Sequence, residues 1–409
     1  MLKSVAIENY RSCVRTSIEL HPNLSVLIGP NGSGKTNILQ AIMFLTKMAH
    51  EERFRTPHSD AFAVSSRIKA RFSLRRTEVQ LDARFVASTD ESNVDAMLGS
   101  RQKWKFTTAN GNQTSFEAPL ALGTYLHGGI TPEVYLRHFS RNAFRYMTGS
   151  KEVPGWALRS MAQISEYCKG IRYYGASQFT NPGNCPASFH IEQEGKHRRL
   201  ARFRGHTKIL YGMYSAKKND PTRFEQFLDI VGPRGLRLID DLKFREVPTS
   251  SVDYLVRVGG RVEARKRNKL LVIPQFKVGK QRLSPNQLSE GTFKTLALLF
   301  HVITDDGTVL LIEEPEVCVH HGLLSSILEL IKSSSHQKQM ILSTHSDFVL
   351  DHVEPENVYR VSFDKTRGTI VRHIPSAMTT KEYSALREYL HTEGNLGEYW
   401  REGGLGDRP

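Results

Sequence analysis

Apolar positions along the chain change their period several times, and each change predicts an element. Between residues 1 and 28, short apolar runs separated by polar punctuation predict three strands: Leu2 to Glu8, Val14 to Leu20, and Leu24 to Ile28. Pro22 and Asn23 mark the last turn. Shortly afterwards Ile38, Leu39, Ile42, Leu45 and Met48 fall at helical spacing, which predicts a helix running to about Met48. Beyond a polar connector at 51–60 the period becomes two. Ile68, Ala70, Phe72 and Leu74 alternate with Arg67, Lys69, Arg71 and Arg75, and Val79, Leu81, Ala83 and Phe85 repeat the pattern. Half-buried antiparallel strands follow from that alternation. Trp104, Phe106 and the turn signal Asn110-Gly111 extend this β lobe, and residues 119–170 read as helical and irregular by turns.

Ile171 to Phe179 predicts another strand, ending in a loop around Gln178 and Pro182. Residues 195–232 predict a basic, mostly helical insertion, too short for a long coiled-coil arm and without a sustained heptad. Strands return between Val252 and Val258 and between Leu270 and Phe276, on either side of the run RVEARKRNK. From Leu288 the pattern becomes a helix (Phe293 to Ile303), a strand (Val309 to Ile312), a helix (Leu323 to Lys332) and a strand (Met340 to Ser343). Such alternation predicts a parallel sheet with crossover helices. The α/β portions at the two ends of the chain must then share one sheet, with the middle inserted between them.

Chemistry enters at the end of the third strand. In LSVLIGPNGSGKTN, Leu24 to Asn37, an apolar strand stops in a glycine-rich loop closed by Lys35 and Thr36 and followed by a helix. Gly29, Gly32 and Gly34 let backbone N–H groups of the loop, from Asn31 through Ser33 to Asn37, turn inward around a phosphate. Lys35 reaches the outer phosphates, and the Thr36 hydroxyl ligates Mg²⁺. The helix adds its positive N-terminal end to the same anion. A second constellation is TVLLIEEPE, Thr308 to Glu316, a buried strand with two carboxylates at its C-terminal end, where ligands of open α/β sheets bind. That placement brings Glu313 within reach of the Mg²⁺ at Thr36 and leaves Glu314 to polarise a water for attack on a γ-phosphate. LSEGTFK, Leu288 to Lys294, opens a helix with a serine and a glycine. ILSTHS, Ile341 to Ser346, carries His345 at a strand end one crossover helix after the acidic strand, which places it beside the γ-phosphate.

Charge and cysteine content narrow the partners. With 56 Lys and Arg against 42 Asp and Glu, the 409-residue chain has a formal net charge of +14, which favours a polyanionic partner such as DNA or RNA. Lys196, Arg198, Arg199, Arg202, Arg204 and Lys208 cluster near Tyr211 and Tyr214, and Arg261, Arg265, Lys266, Arg267 and Lys269 form a denser run. Such tracts suit phosphate contacts rather than base contacts. Four cysteines lie far apart with no C-x-x-C pair, so neither a zinc site nor a disulfide framework is implied, and a reduced cytoplasm fits best. The N-terminus does not read as a secretory signal, and no apolar run approaches membrane-spanning length.

The order GPNGSGKTN, a Gln-containing loop, LSEGT, a buried strand ending in EE, and STHS resembles the head domain of ABC-type ATPases. The branch is the one containing SMC proteins, RecF and ATPases of the overcoming-lysogenisation-defect (OLD) type. IENYRS is similar to the N-F-R-S segment of that branch, and EEPEVCVHH is similar to the E-E-P-E-x-x-L-H-P of the OLD-like members. The resemblance covers residues 1–48 and about 283–362 well and the middle only in layout.

It implies an α/β P-loop NTPase fold, an ABC-type head with an antiparallel β lobe and a helical inserted lobe. Residues 1–180 and 251–375 would form the two parts of the head, 181–250 the insertion and 376–409 a tail. It further implies that Glu313 takes the place of the usual Mg²⁺-binding Asp and that Glu314 is the catalytic base. Gln178 becomes the switch-loop glutamine facing the metal, His345 the switch histidine, and Arg11 a residue approaching the nucleotide. Ser289 and Gly291 become signature residues that contact the γ-phosphate held by a second subunit, so ATP is sandwiched in a head-to-head homodimer. Two departures stand out: the signature reads S-E-G-T rather than S-G-G-Q, and Val319 and His321 replace the usual Leu and Pro. OLD-type relatives often carry a C-terminal nuclease domain, whereas this sequence ends soon after the head, so an effector nuclease in trans is expected. Standalone ATPases of this kind commonly sit in bacterial anti-phage systems such as Septu and PARIS. A RecF-like repair protein that clamps DNA under ATP control is the alternative.

Overall fold

Leu24–Ile28 is buried at all five positions, and the parallel sheet is built around it. The computed structural model describes residues 1–49, 62–86, 101–119, 154–192, 203, 205–256, 262–317, 319–392 and 394–405. The connector at 51–60, Cys318 and the basic residues Lys196, Arg198, Arg199, Arg202 and Arg204 lie outside the described residues, as do the side chains of Arg261, Arg265, Lys266 and Arg267. The chain divides into two units, one comprising Met1–Tyr173, Asp306–Glu314 and Leu328–Pro409, the other Tyr174–Asp305 and Pro315–Ile327.

The first unit begins with β1 (Leu2–Tyr10), β2 (Cys13–Glu19), β3 (Leu24–Ile28) and α1 (Lys35–Ala49). There follow β4 (Phe62–Leu74), β5 (Thr77–Val86), β6 (Arg101–Thr108), β7 (Gln113–Pro119), α2 (Gly155–Lys169) and β8 (Ile171–Gly175). An antiparallel sheet runs in the order β2-β1-β4-β5-β6-β7. Its register aligns Val5 with Ala70, Ala70 with Leu81, and Leu81 with Trp104. One face therefore buries these residues with Ile7, Ile68, Phe72, Val79 and Phe106, in one core with Ile38, Leu39, Ile42 and Leu45 of α1. The intervening positions carry the charges: Arg67 pairs with Asp82, and Lys69 with Glu8. Period-two alternation is thus the physical reason one face is apolar and the other ionic.

The second unit contains β9 (Phe189–Glu192), α3 (Gly205–Asn219), α4 (Pro221–Val231), β10 (Asp241–Val256), β11 (Val262–Val278), β12 (Gln281–Leu283) and α5 (Glu290–Thr304). The run RVEARKRNK, expected to separate two strands, lies largely inside β11. β10 and β11 pair without interruption from Asp241↔Lys277 to Val256↔Val262. Consecutive charges give no period-two signal, so hydrophobic patterning cannot mark such a strand. The strand expected to reach Phe179 ends at Gly175, and residues Ala176–Phe179 form a 3₁₀ turn held by the buried Ala176 and Phe179.

The rest of the chain supplies β13 (Val309–Glu313), α6 (His321–Ser334), β14 (Gln339–Thr344), α7 (Asp347–Leu350), β15 (Val358–Asp364), β16 (Gly368–His373), α8 (Ile374–Ala377), α9 (Thr380–Thr392) and α10 (Leu396–Arg401). The second sheet of the first unit has the order β16-β15-β3-β14-β13-β8. Both ends of the chain share it: β3 lies parallel to β14, with Val26 opposite Leu342, and to β15, with Val26 opposite Val358. β14 in turn is parallel to β13, with Leu342 opposite Ile312. Each fully buried Leu or Ile of this layer contributes about 2 kcal/mol of transfer free energy. Parallel alignment puts the C-terminal ends of β3, β13 and β14 along one edge, and that edge carries the chemistry. Among the described residues no helix is long and apolar enough to cross a membrane.

Candidate functional site

β3 stops at Ile28, and α1 opens at Lys35; the loop between them folds over its own backbone. Gly32 and Gly34 have φ of +80° and +102°, a region that a β-carbon disfavours. A β-carbon at Gly34 would lie 2.0 Å from Thr369 Oγ1, and one at Gly29 would lie 2.0 Å from the Val361 carbonyl oxygen. Asn31 and Gly32 are exposed, while Ser33 is buried with no partner for its Oγ. The Lys35 ammonium is buried and donates to the carbonyls of Gly29 at 2.7 Å and Pro30 at 3.0 Å.

The acidic strand end reaches this loop. The Thr36 hydroxyl donates to Glu313 Oε1, and the Tyr173 hydroxyl on the neighbouring edge strand donates to Glu313 Oε2. Burial, and then the bond to Glu313, pushes the Tyr173 phenol well above its usual range, so Tyr173 is a donor at any physiological pH. Glu314 takes φ of +48°, and its N–H donates to the Ser343 carbonyl at 2.9 Å. That turn sends its carboxylate to His345, whose Nδ1 lies 3.4 Å from Glu314 Oε1. Arg11, also at positive φ, donates to Asn37 Oδ1 at 3.4 Å and to Gln40 Oε1. Asn37 donates to Ser12 Oγ at 2.7 Å, and Ser12 and Thr369 hydroxyls lie 2.7 Å apart. Thr369 then donates to the Ser33 carbonyl at 3.0 Å, so the loop is buttressed from the hairpin β15–β16.

The structure therefore brings Lys35, Thr36, Asn37, Arg11, Glu313, Glu314 and His345 of the first unit into one neighbourhood. Gln178, Ser289 and Gly291 belong to the second unit and are gathered there. Gln178 is exposed on its 3₁₀ turn. The Asn181 N–H that follows donates to Glu290 Oε2 at 3.2 Å, and the Phe179 and Phe293 rings lie 6.0 Å apart. Ser289 caps α5, its Oγ accepting from the Thr292 N–H at 3.2 Å. Gly291 follows in the first turn of the same helix. Sequence reasoning missed Tyr173, Ser12 and Thr369. A register across the sheet chooses the partner of Tyr173, and Thr369 acts from a hairpin 336 positions from Ser33, whereas Ser12 lies in the IENYRS segment and meets Asn37 only 25 positions on.

The residues present fit a magnesium nucleotide. Gly29 and Gly34 of the loop cannot accept β-carbons, its lysine is poised over two carbonyls, and the buried Ser33 hydroxyl lacks a partner that a phosphate oxygen would supply. Thr36 and Glu313 offer the hard oxygen donors that Mg²⁺ takes, with phosphates and water completing its shell. Among the described residues no group of three or more His, Cys, Asp and Glu could hold a metal on protein ligands alone.

A sheet parallel from β15 through β3 and β14 to β13, with β16 antiparallel at its edge, a phosphate loop at the end of β3 and a carboxylate pair at the end of β13 define a P-loop nucleotide-binding fold. The family described as RecF/RecN/SMC N-terminal domain matches residues 1–369, and the chain belongs to it, as an ABC-type ATPase head. Over 85 residues the chain is 32% identical to the DNA replication and repair protein RecF of Lactococcus lactis subsp. lactis (strain IL1403); that stretch covers 20% of this chain and 24% of the relative. Over 42 residues it is 52% identical to the DNA double-strand break repair Rad50 ATPase of Methanopyrus kandleri, covering 10% of this chain and 5% of the relative. An SMC head solved with the C-winged helix domain of ScpA aligns over 92% of this chain and 99% of its own, at 12% identity and a TM-score of 0.46.

Proposed function

We propose that this protein binds and hydrolyses ATP, dimerises head to head around it, and through that cycle regulates a partner nuclease or other effector, in the manner of bacterial anti-phage ATPases. The observation that carries the ATPase reading is the convergence of Lys35 and Thr36 with Glu313, Glu314 and His345. Backbone N–H groups of residues 31–37 and the Lys35 ammonium hold the phosphates, and Arg11 and Asn37 frame them. Thr36 and Glu313 would hold the Mg²⁺ that neutralises phosphate charge, and Gln178 is assigned as the switch-loop glutamine. Glu314 takes the proton of the attacking water, and His345 holds the Glu314 carboxylate and the γ-phosphate in register. Ser289 and Gly291 of one subunit complete the site of the other. The γ-phosphate is then the group that biases a two-state assembly between closed and open.

A second reading, a RecF-like protein that clamps DNA under ATP control, is favoured by the names of the sequence relatives and by the charge of +14. Coexpression with neighbouring genes, followed by mass measurement with and without Mg·ATP, tests both. The first reading expects a two-chain mass with ATP and a copurifying effector. A single-chain mass under every condition contradicts it. DNA retention without an effector, steeply weakened between low and physiological salt, selects the second.

Tyr173 supplies a check on the metal site. Tyr173→Phe leaves Glu313 Oε2 without its donor, and the Mg²⁺ concentration for half-maximal turnover should rise about tenfold. An unchanged Mg²⁺ titration would remove Tyr173 from the site.

A further inference from the structure

α10 packs against α7, the single helical turn that begins two residues after His345. It grips that turn at both ends. Arg401 Nε lies 3.1 Å from Asp347 Oδ2 at the first residue of α7, and the Gly397 N–H donates to Asp351 Oδ1, 2.9 Å away, just past its last. Asp347 and Asp351 are four residues apart on one helical face, where like charges repel. α10 answers one with a guanidinium and the other with an amide. The approach is too close for a side chain at 397, since a β-carbon would lie 2.3 Å from the Asp347 carbonyl oxygen. Leu396 and Trp400 are each 2% exposed, and Val349 and Leu350 of α7 are fully buried. Asn395 caps α10 by accepting from the Glu398 N–H at 2.8 Å, and the Arg360 guanidinium of β15 donates to the Leu405 carbonyl, fixing the far end. His345, by contrast, has a side chain 41% exposed, and Ser346 directly joins it to α7.

We propose that α10 is a positioning element for ATP turnover: by clamping α7 through Arg401 and Gly397, it fixes the strand end that presents His345 to Glu314. Arg401 is a positioning residue that touches neither nucleotide nor reacting atoms. The proposal rests on the reading of Glu314 and His345 as groups acting on the γ-phosphate. Movement of the tail by a bound partner would then change turnover without touching the phosphate loop.

A double-mutant cycle on the full chain tests this, with steady-state phosphate release as the readout. Arg401→Ala should lower kcat about tenfold, keep KM for ATP within about twofold, and leave the unfolding midpoint in place, because the effect travels through His345 alone. Arg401→Lys should restore most of kcat. His345→Ala should lower kcat further, and adding Arg401→Ala to it should change nothing. If the two losses multiply, α10 does not act through His345, and the proposal is overturned while the reading of the site stands. If His345→Ala alone turns over like the parent, that reading fails and takes the proposal with it. Asp347→Asn breaks the same pair from the other side and replaces Arg401→Ala in the cycle should the latter fail to fold.

Discussion

Glu314→Gln should reduce ATP turnover by about 100-fold or more, the size of a lost general base, while leaving nucleotide binding intact. A non-glycine residue at φ of +48° costs on the order of 1–2 kcal/mol, and the chain sustains it here by locking the Glu314 N–H to the Ser343 carbonyl. That turn separates two adjacent carboxylates: Glu313 stays with Thr36 and Tyr173, and Glu314 goes to His345. Glutamine keeps the volume and can still meet His345, but it cannot take a proton from water. ATP should therefore remain bound, and the dimer it bridges should persist. Phosphate release together with solution mass in Mg·ATP checks both halves, and turnover near that of the parent would remove Glu314 from its role.

Lys35→Ala should remove half or more of the stabilisation by nucleotide. The ammonium now bonded to the Gly29 and Pro30 carbonyls is the charge that phosphates would meet, and a charge-assisted bond of this kind contributes about 1.5–3 kcal/mol, or roughly 10- to 150-fold in affinity. At a ligand concentration near 100 Kd the parent gains about 2.7 kcal/mol of stability, and the variant should lose about 1.3–2.4 kcal/mol of that gain. Gly34→Ala should behave alike for a different reason: its new β-carbon would meet Thr369 Oγ1 at 2.0 Å in a backbone conformation it disfavours. A thermal scan with and without Mg·ATP separates the outcomes, and equal upward shifts in parent and variants would contradict the phosphate-loop assignment.

Those two residues were readable from sequence because local pattern and chemistry coincide there. A five-residue buried strand, glycines at the turning points and a helix starting at Lys35 are all short-range signals. The strand VLLIE, buried at its first four positions, is legible for the same reason. That both ends of the chain meet in one sheet followed from the alternation after Leu288, and β3 does lie between β14 and β15. The β10–β11 ribbon was not legible, since charges at successive positions hide a strand's period. The 3₁₀ turn carrying Gln178 reads as strand in the sequence because IRYYGASQF continues the apolar run past Gly175. Tyr173 was invisible because a register across the sheet chooses its partner, 140 positions away. Tail packing was equally hidden: Leu396 and Trp400 look like isolated apolar residues among glycines until their helix is placed beside α7.

The glycine loop after β3 and the carboxylates after β13 should hold one magnesium nucleotide between them. A structure of the Glu314→Gln variant with Mg·ATP measures this directly. The account predicts phosphates cradled from Gly29 to Thr36, with the metal on the Thr36 hydroxyl and the Glu313 carboxylate and His345 facing the γ-phosphate. Nucleotide bound away from this loop, or a metal without Glu313 in reach, would contradict it.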